Sequence, residues 1–366
     1  KYIMKITKKF KSFITEEDNE KPYNLIVFNH SGESVRDVKD TSLNEMNKIL
    51  ETSAKSAGIK MFNVDFVGFN VSEKDGKKYI NSFPFDNNGE VIFPNRKDKN
   101  KKIEDDYQPP IELDPANTII MPRGLGTPGL TNSRYWTDTI KQLENDGFVT
   151  IPSINCWDIC SSKYLTDYFC RKAGLRTPKT VPIAYSEDTE RAVQELDTKF
   201  PIILKASTGS QTGVGVVIIE SMRSLNSAIE MLGLHSKYLP LIIQEFMKID
   251  YDVRVMVLDG RVLGSIKRQV ITDGDFRSNI SLGAEAEIIE LTQIEEKDSL
   301  TAAKVVKGRL VGVDFIPAKD REKEQPYILE VNSMPGFGGI EKLKKGLVKE
   351  ILEHFKDRNN WRIDND

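Results

Sequence analysis

The chain has 366 residues, with 52 Lys and Arg against 55 Asp and Glu, for a net charge of -3. Hydrophobic residues at 39% and aromatics at 8% describe a folded protein, and the length calls for subdomains sharing a cleft. The charge balance gives no footing for nucleic acid or an anionic membrane as the main partner, and no apolar run approaches the ~20 residues that span a bilayer.

No apolar stretch follows the Lys-rich opening residues, so no secretory signal is read and a cytoplasmic location is expected. Cys156, Cys160 and Cys170 are an odd set without a disulfide framework, which fits buried reduced thiols. His30, His235 and His354 are scattered, which argues against Ser–His–Asp chemistry.

Leu25–Phe28 reads as a first buried strand, and Thr41–Ala57 as a helix through Leu43, Met46, Ile49 and Leu50, closing at Gly58. Residues 71–110 shift to Asp-Gly, Asn-Asn-Gly and Lys/Asp/Asn-rich composition, which predicts a surface insertion carrying one hairpin. Thr118–Met121 returns to buried-strand character, so residues of roughly 20–150 form an α/β subdomain. Next comes a helix over Asp158–Ala173 with Ile159, Leu165, Phe169 and Ala173 on one face, stopped by Gly174. Strands are expected at Ile202–Lys205, Val214–Ile219 and Leu241–Ile243, with an amphipathic helix through Leu225, Ile229 and Leu232.

Asp259-Gly260 between two apolar runs marks a hairpin, and Thr292 with Glu295 forms a capping box for a helix ending at Gly308. Strands at Leu310–Phe315 and Tyr327–Val331 follow, then one helix over Ile340–Phe355 and a polar, frayed tail.

Ionised groups in apolar strands are costly unless paired or bound to metal, which singles out Asp314, Glu330 and Asn332. Alternation puts Glu330 and Asn332 on one face of a strand, and Asp314 can face them from a neighbour. Such an all-oxygen set suits magnesium, and equally a buried polar network. Lys205 precedes a glycine-rich stretch with Gly209, Gly213 and Gly215, either a phosphate cradle or a plain turn. Arg268, Arg277 and Asn279 could neutralise a phosphoryl group or belong to a solvated loop. Gln244-Glu245-Phe246-Met247 offers backbone groups and apolar contact to an adenine edge, with Asp252 for ribose hydroxyls, or is ordinary core.

In order and spacing these elements resemble the ATP-grasp superfamily, in the branch of the ribosomal-protein S6 glutamate ligases. The likeness runs over residues 118–355. Its motifs are Met121-Pro-Arg-Gly, Ser162-Lys163-Tyr-Leu, Gly174-Leu-Arg-Thr-Pro178, Pro201-Ile-Ile-Leu-Lys205, Gly213-Val-Gly-Val-Val and Gln244-Glu-Phe. Further on come Asp252-Val-Arg254, Gly274-Asp-Phe-Arg-Ser-Asn279, Gly312-Val-Asp314 and Glu330-Val-Asn-Ser-Met-Pro-Gly336. The resemblance implies an α/β fold with a pre-ATP-grasp domain over 1–150, a central lobe over 151–243, a C-terminal lobe over 244–356 and a tail over 357–366.

It further implies ATP between the two lobes, Lys163 and Lys205 on phosphates, and Gly213 and Gly215 in a loop closing over them. Residues 245–247 would hold adenine beside Gln244, and Asp252 the ribose, with Arg254 nearby. Two magnesium ions, or manganese, would sit on Asp314, Glu330 and Asn332, while Arg277 and Asn279 would steady the γ-phosphoryl group. The implied activity joins a peptide, protein or small carboxylate to an amino-acid amine through an acyl phosphate, in a monomer or a homo-oligomer. The rivals are a small-molecule ligase similar to glutathione synthetase and a phosphotransferase on an anionic metabolite. The implied amine is glutamate-like, but the chain departs from the S6-ligase pattern at Thr212, which lengthens the loop, at Lys267-Arg268-Gln269 and at Ser281-Leu282-Gly283-Ala284, which leaves the identity of the amine open.

Overall fold

Strand β1 (Asn24–Asn29) carries Leu25, Ile26, Val27 and Phe28, all fully buried, as a strand covered on both faces requires. The structure is a computed structural model and describes residues 23–29, 41–66, 68–84, 107–123, 133–183, 185–208, 216–235, 240–269 and 286–361. Helix α1 (Thr41–Ser56) follows, with Gly58 at φ +68° just beyond it, where a Cβ would be strained. Then come β2 (Lys60–Asp65), the hairpin β3 (Phe69–Lys74) and β4 (Lys77–Ser82) on Asp75-Gly76, β5 (Ile111–Leu113) and β6 (Thr118–Pro122). Helix α2 (Ser133–Asn145) and β7 (Val149–Thr150) complete the block.

Strands β2-β1-β6-β7 form a parallel sheet, and β3-β4-β5 an antiparallel one. The expected hairpin is present in the 71–110 stretch, where Ile80 is fully buried and so adds core rather than surface alone. Residues 85–106 of that stretch lie outside the described residues. Helix α2 escaped the sequence reading although Trp136, Ile140 and Leu143, all buried, recur at helical spacing.

The second unit, Asn155–Lys345, begins within α3 (Ile154–Ser161), followed by α4 (Lys163–Lys172). One continuous helix was expected here. Ser162 divides it by adopting an extended backbone, φ -108° and ψ 110°, and capping α4 with its side chain, which accepts from Leu165 N. The buried face of α4 is Thr166, Asp167 and Cys170, while Ala173 is exposed. Next come β8 (Thr180–Ile183), α5 (Thr189–Leu196), β9 (Ile202–Ala206), β10 (Val216–Ile219), α6 (Met222–His235) and β11 (Leu241–Glu245). The antiparallel sheet β10-β9-β11-β8 packs Leu204 and Ile243 against Ala192 and Leu225 of its helices.

The hairpin β12 (Tyr251–Leu258) and β13 (Arg261–Gln269) turns on Asp259-Gly260 as expected, both with positive φ. Then follow β14 (Ala286–Ile288), α7 (Gln293–Val305) with its capping box formed, β15 (Leu310–Ile316) and β16 (Tyr327–Asn332). They make an antiparallel sheet in the order β14-β13-β12-β15-β16. Val255, Val313, Phe315 and Val331 pack it onto Ala302 and Ala303.

The expected closing helix is also two. Helix α8 (Gly338–Leu343) stops before Gly346, whose φ of +88° breaks the run, and α9 (Leu347–Lys356) begins after it. Residues Gly346–Asp366 belong to the first unit, where α9 packs on α1 and Lys356 Nζ donates to the Ala57 carbonyl oxygen at 2.8 Å. The described part of the tail is ordered rather than frayed: the indole N–H of Trp361 donates to Phe355 O at 2.6 Å and its ring lies 5.6 Å from that of Tyr23. Trp361→Ala is therefore expected to cost about 3 kcal/mol in denaturant unfolding, and an unchanged midpoint would contradict this packing. Among the described residues no helix is long and apolar enough to cross a membrane.

Candidate active site

Two lysines are set by the seam between α4 and the end of β9. Ser162 bridges to Thr208, and Lys163 N donates to Ser207 O at 2.9 Å, so the helix starts against the strand that carries Lys205. Lys163 and Lys205 line one crevice with Thr166, Cys170, Gln244 and Ile328. Burial pulls Lys163 below the ordinary lysine value and Lys205 down to about 8, while the Glu330 carboxylate pulls both back up. Lys205 Nζ donates to Gln244 Oε1 at 2.6 Å, an uncharged acceptor. These partly desolvated cations suit an anionic ligand.

On β12, β15 and β16, strand register builds a row of charged side chains. Arg254 on β12 pairs with Asp314 on β15, which pairs with Glu330 on β16, so the three side chains share a face. The Arg254 guanidinium grips Asp314 in a fork, Nε to Oδ1 at 2.7 Å and Nη2 to Oδ2 at 2.6 Å, and lies 3.8 Å from Glu330 Oε1. Arg268 from β13 forks onto Asp252 at 2.7 and 2.6 Å and reaches Asp314 Oδ2 at 3.0 Å. Burial alone would raise the Asp314 carboxyl, but the two guanidiniums outweigh it and hold the group at about 2. Burial likewise opposes the charge on Arg268, and Asp314 and Asp252 overcome it, raising its pKa.

Gly312 makes room for this row. A Cβ there would meet Pro335 Cβ at 3.1 Å and the Arg254 side chain at 3.8 Å. A glycine inside an apolar strand signals such a close approach, which the sequence reading named only as part of the Gly312-Val-Asp314 motif.

The structure thus brings Lys163, Lys205, Gln244, Arg254, Asp314, Glu330 and Asn332 into one unit. Asn332 Nδ2 donates to Glu330 Oε1 at 2.9 Å. Phe246 and Met247 are half-buried beyond β11, and the Glu245 carboxylate accepts from Lys179 N at 2.8 Å, fastening the chain next to β8. Gly213, Gly215, Arg277 and Asn279 lie outside the described residues.

Two of the expected site residues meet each other. Asp252, expected at a ribose, is buried with both carboxylate oxygens on Arg268. Arg268, expected at a phosphoryl group, has a side chain only 4% exposed and bonded to Asp252 and Asp314. Arg268 thus links Asp252 to Asp314.

Magnesium fits the donor set, since Asp314, Glu330 and Asn332 supply hard oxygens and a cation, the Arg254 guanidinium, already lies against both carboxylates. The half-exposed Glu330, at 40%, offers a metal its approach, whereas Asp314 at 4% is reached from the row itself.

Residues 160–355 match the family model of the RimK-like ATP-grasp domain. A probable alpha-L-glutamate ligase of Coxiella burnetii (strain Dugway 5J108-111) is 31% identical over 234 residues, 63% of this chain and 74% of the relative. Among solved structures, the ATP-grasp ligase PsnB, complexed with a phosphomimetic variant of its minimal precursor, Mg and ADP, superposes with a TM-score of 0.58. It is 18% identical, with 91% of this chain and 97% of that one covered. A Chryseobacterium gregarium RiPP-associated ATP-grasp ligase, in complex with ADP and a leader and core peptide, also gives 0.58 at 13% identity, covering 92% and 97%. Family match, shared fold and the lysine–carboxylate crevice agree: this chain belongs to the RimK-like ATP-grasp family and is an ATP-dependent carboxylate–amine ligase.

Proposed function

We propose that the protein adds an amino acid, glutamate or a close analogue, to the carboxylate of a peptide or protein through an acyl phosphate. The observation that carries this reading is the crevice lined by the desolvated Lys163 and Lys205, whose charges the Glu330 carboxylate supports. The glutamate-ligase relatives support the amino acid, and the peptide-bound ligases of the same fold support the acceptor.

In this reading a carboxylate oxygen attacks the γ-phosphorus and ADP leaves. The amine then attacks the acyl carbon, and phosphate departs with that carboxylate oxygen. Both reactants are anionic, so the work of the protein is positioning and charge neutralisation. Lys163 and Lys205 hold the phosphates, the chain at 245–247 receives adenine beside Gln244, and Asp314, Glu330 and Asn332 hold two magnesium ions. Bound there, magnesium screens the phosphate oxygens from the attacking carboxylate. Arg254, which lies against both Asp314 and Glu330, would add positive charge beside the phosphates. By their family resemblance, Gly213 and Gly215 would cradle the phosphates, and Arg277 and Asn279 would steady the transferring group.

The test is an ADP-release screen of amino acids against short acidic peptides, with mass spectrometry of the products. ADP release that depends on both partners, with a product heavier by one residue, is expected. ADP release with a non-carboxylate acceptor and a phosphate ester as product would overturn the reading in favour of a phosphotransferase.

A further inference from the structure

The hydrogen bonds behind Lys205 run in one direction. Thr180, the first residue of β8, donates its hydroxyl proton to Pro178 O at 2.9 Å. Its oxygen is then an acceptor, and it takes Gln244 Nε2 at 2.8 Å. That settles which end of the amide faces the lysine: Oε1 accepts from Lys205 Nζ at 2.6 Å. The register supports the chain of contacts, because Gln244 on β11 lies opposite Thr180 on β8, and β9 with Lys205 flanks β11 on its other side. Gln244 is 7% exposed, so water competes little for its amide.

We propose that Thr180 and Gln244 are positioning residues that hold Lys205 in place for the nucleotide phosphates without neutralising its charge. The inference rests on the reading of Lys205 as a phosphate contact. An amide is the residue type this task needs. A carboxylate at 244 would pair with the ammonium and repel an anionic ligand, whereas an aliphatic side chain would leave a desolvated ammonium without this acceptor. Thr180 matters because an unanchored amide can turn and present its own N–H groups to the cation. The side chain of Thr180 carried no signal in the sequence, since its partner is 64 residues away.

The test measures the Kd of ADP in the presence of magnesium by isothermal titration calorimetry between pH 6 and 9.5, which needs no knowledge of the acceptor. Wild-type binding is expected to weaken as pH rises through about 8, where Lys205 loses its proton. Gln244→Glu should move that alkaline limb upward by about one pH unit and weaken binding at pH 7 by about tenfold. Gln244→Leu should move the limb downward, and Thr180→Val should do so less, with affinity reduced about two- to tenfold.

Opposite shifts in the two Gln244 variants are an outcome that general damage to the fold does not produce. An unmoved limb in both would overturn the relay. Thermal unfolding identifies a variant that fails to fold. Should Gln244→Glu be one, Thr180→Val decides alone, and wild-type affinity with an unmoved limb would overturn the proposal. Lys205→Met separates the two claims: lost binding keeps Lys205 at the phosphates whatever the relay does, and wild-type binding removes the reading on which the relay rests.

Discussion

Glu330→Ala is expected to lower magnesium-dependent ADP release by about a thousandfold while the protein stays folded. The side chain is 40% exposed and its oxygen takes one amide hydrogen bond from Asn332, so its removal should cost no more than about 1 kcal/mol of stability. Its electrostatic reach is larger than its packing. Glu330 is the carboxylate that supports the charge on both Lys163 and Lys205, so the variant loses metal affinity and weakens the phosphate contacts together. Steady-state ADP release with a parallel unfolding curve checks both halves. Wild-type turnover in the variant would remove the metal assignment.

Asp314→Asn should fail in a different way. Asp314 lies between two guanidiniums and is almost wholly buried, so neutralising it leaves Arg268 with Asp252 and Arg254 with only the longer contact to Glu330. Breaking a buried ion pair by removing one partner costs about 3–5 kcal/mol, and denaturant unfolding should report a loss of that size alongside lost activity. The pH dependence carries a sign. Because the folded-state pKa lies at about 2, below the ordinary carboxylate value, this contribution is present above that ordinary value and fades as pH falls towards 2. Wild-type stability should therefore fall across this window more steeply than that of the variant. Equal stability of the two proteins at neutral pH would contradict the buried row.

The contrast between these carboxylates separates what the sequence could tell from what it could not. Alternation along one strand is a local property, so Glu330 and Asn332 could be placed on one face from the sequence, and so could the Asp259-Gly260 hairpin and the Thr292–Glu295 capping box. Which residue faces Asp314 depends on the register of β12 against β15, a property of the folded sheet, and the fork from Arg254 follows from it. The same is true of Asp252 and Arg268: each looks reactive alone, and each is satisfied by the other once β12 and β13 are paired.

Long apolar patterns hid two helix breaks. At Ser162 a capping side chain outweighed the continuing apolar spacing, and at Gly346 a left-handed backbone did the same. Trp361 was lost among polar neighbours because a single indole has no periodicity to detect.

The central claim is that the nucleotide activates a carboxylate, and isotope transfer tests it most directly. With the acceptor identified by the ADP-release screen and its carboxylate labelled with 18O, one labelled oxygen should appear in inorganic phosphate for each bond formed. Phosphate released without label, while product accumulates at the same rate, would contradict an acyl phosphate on this enzyme.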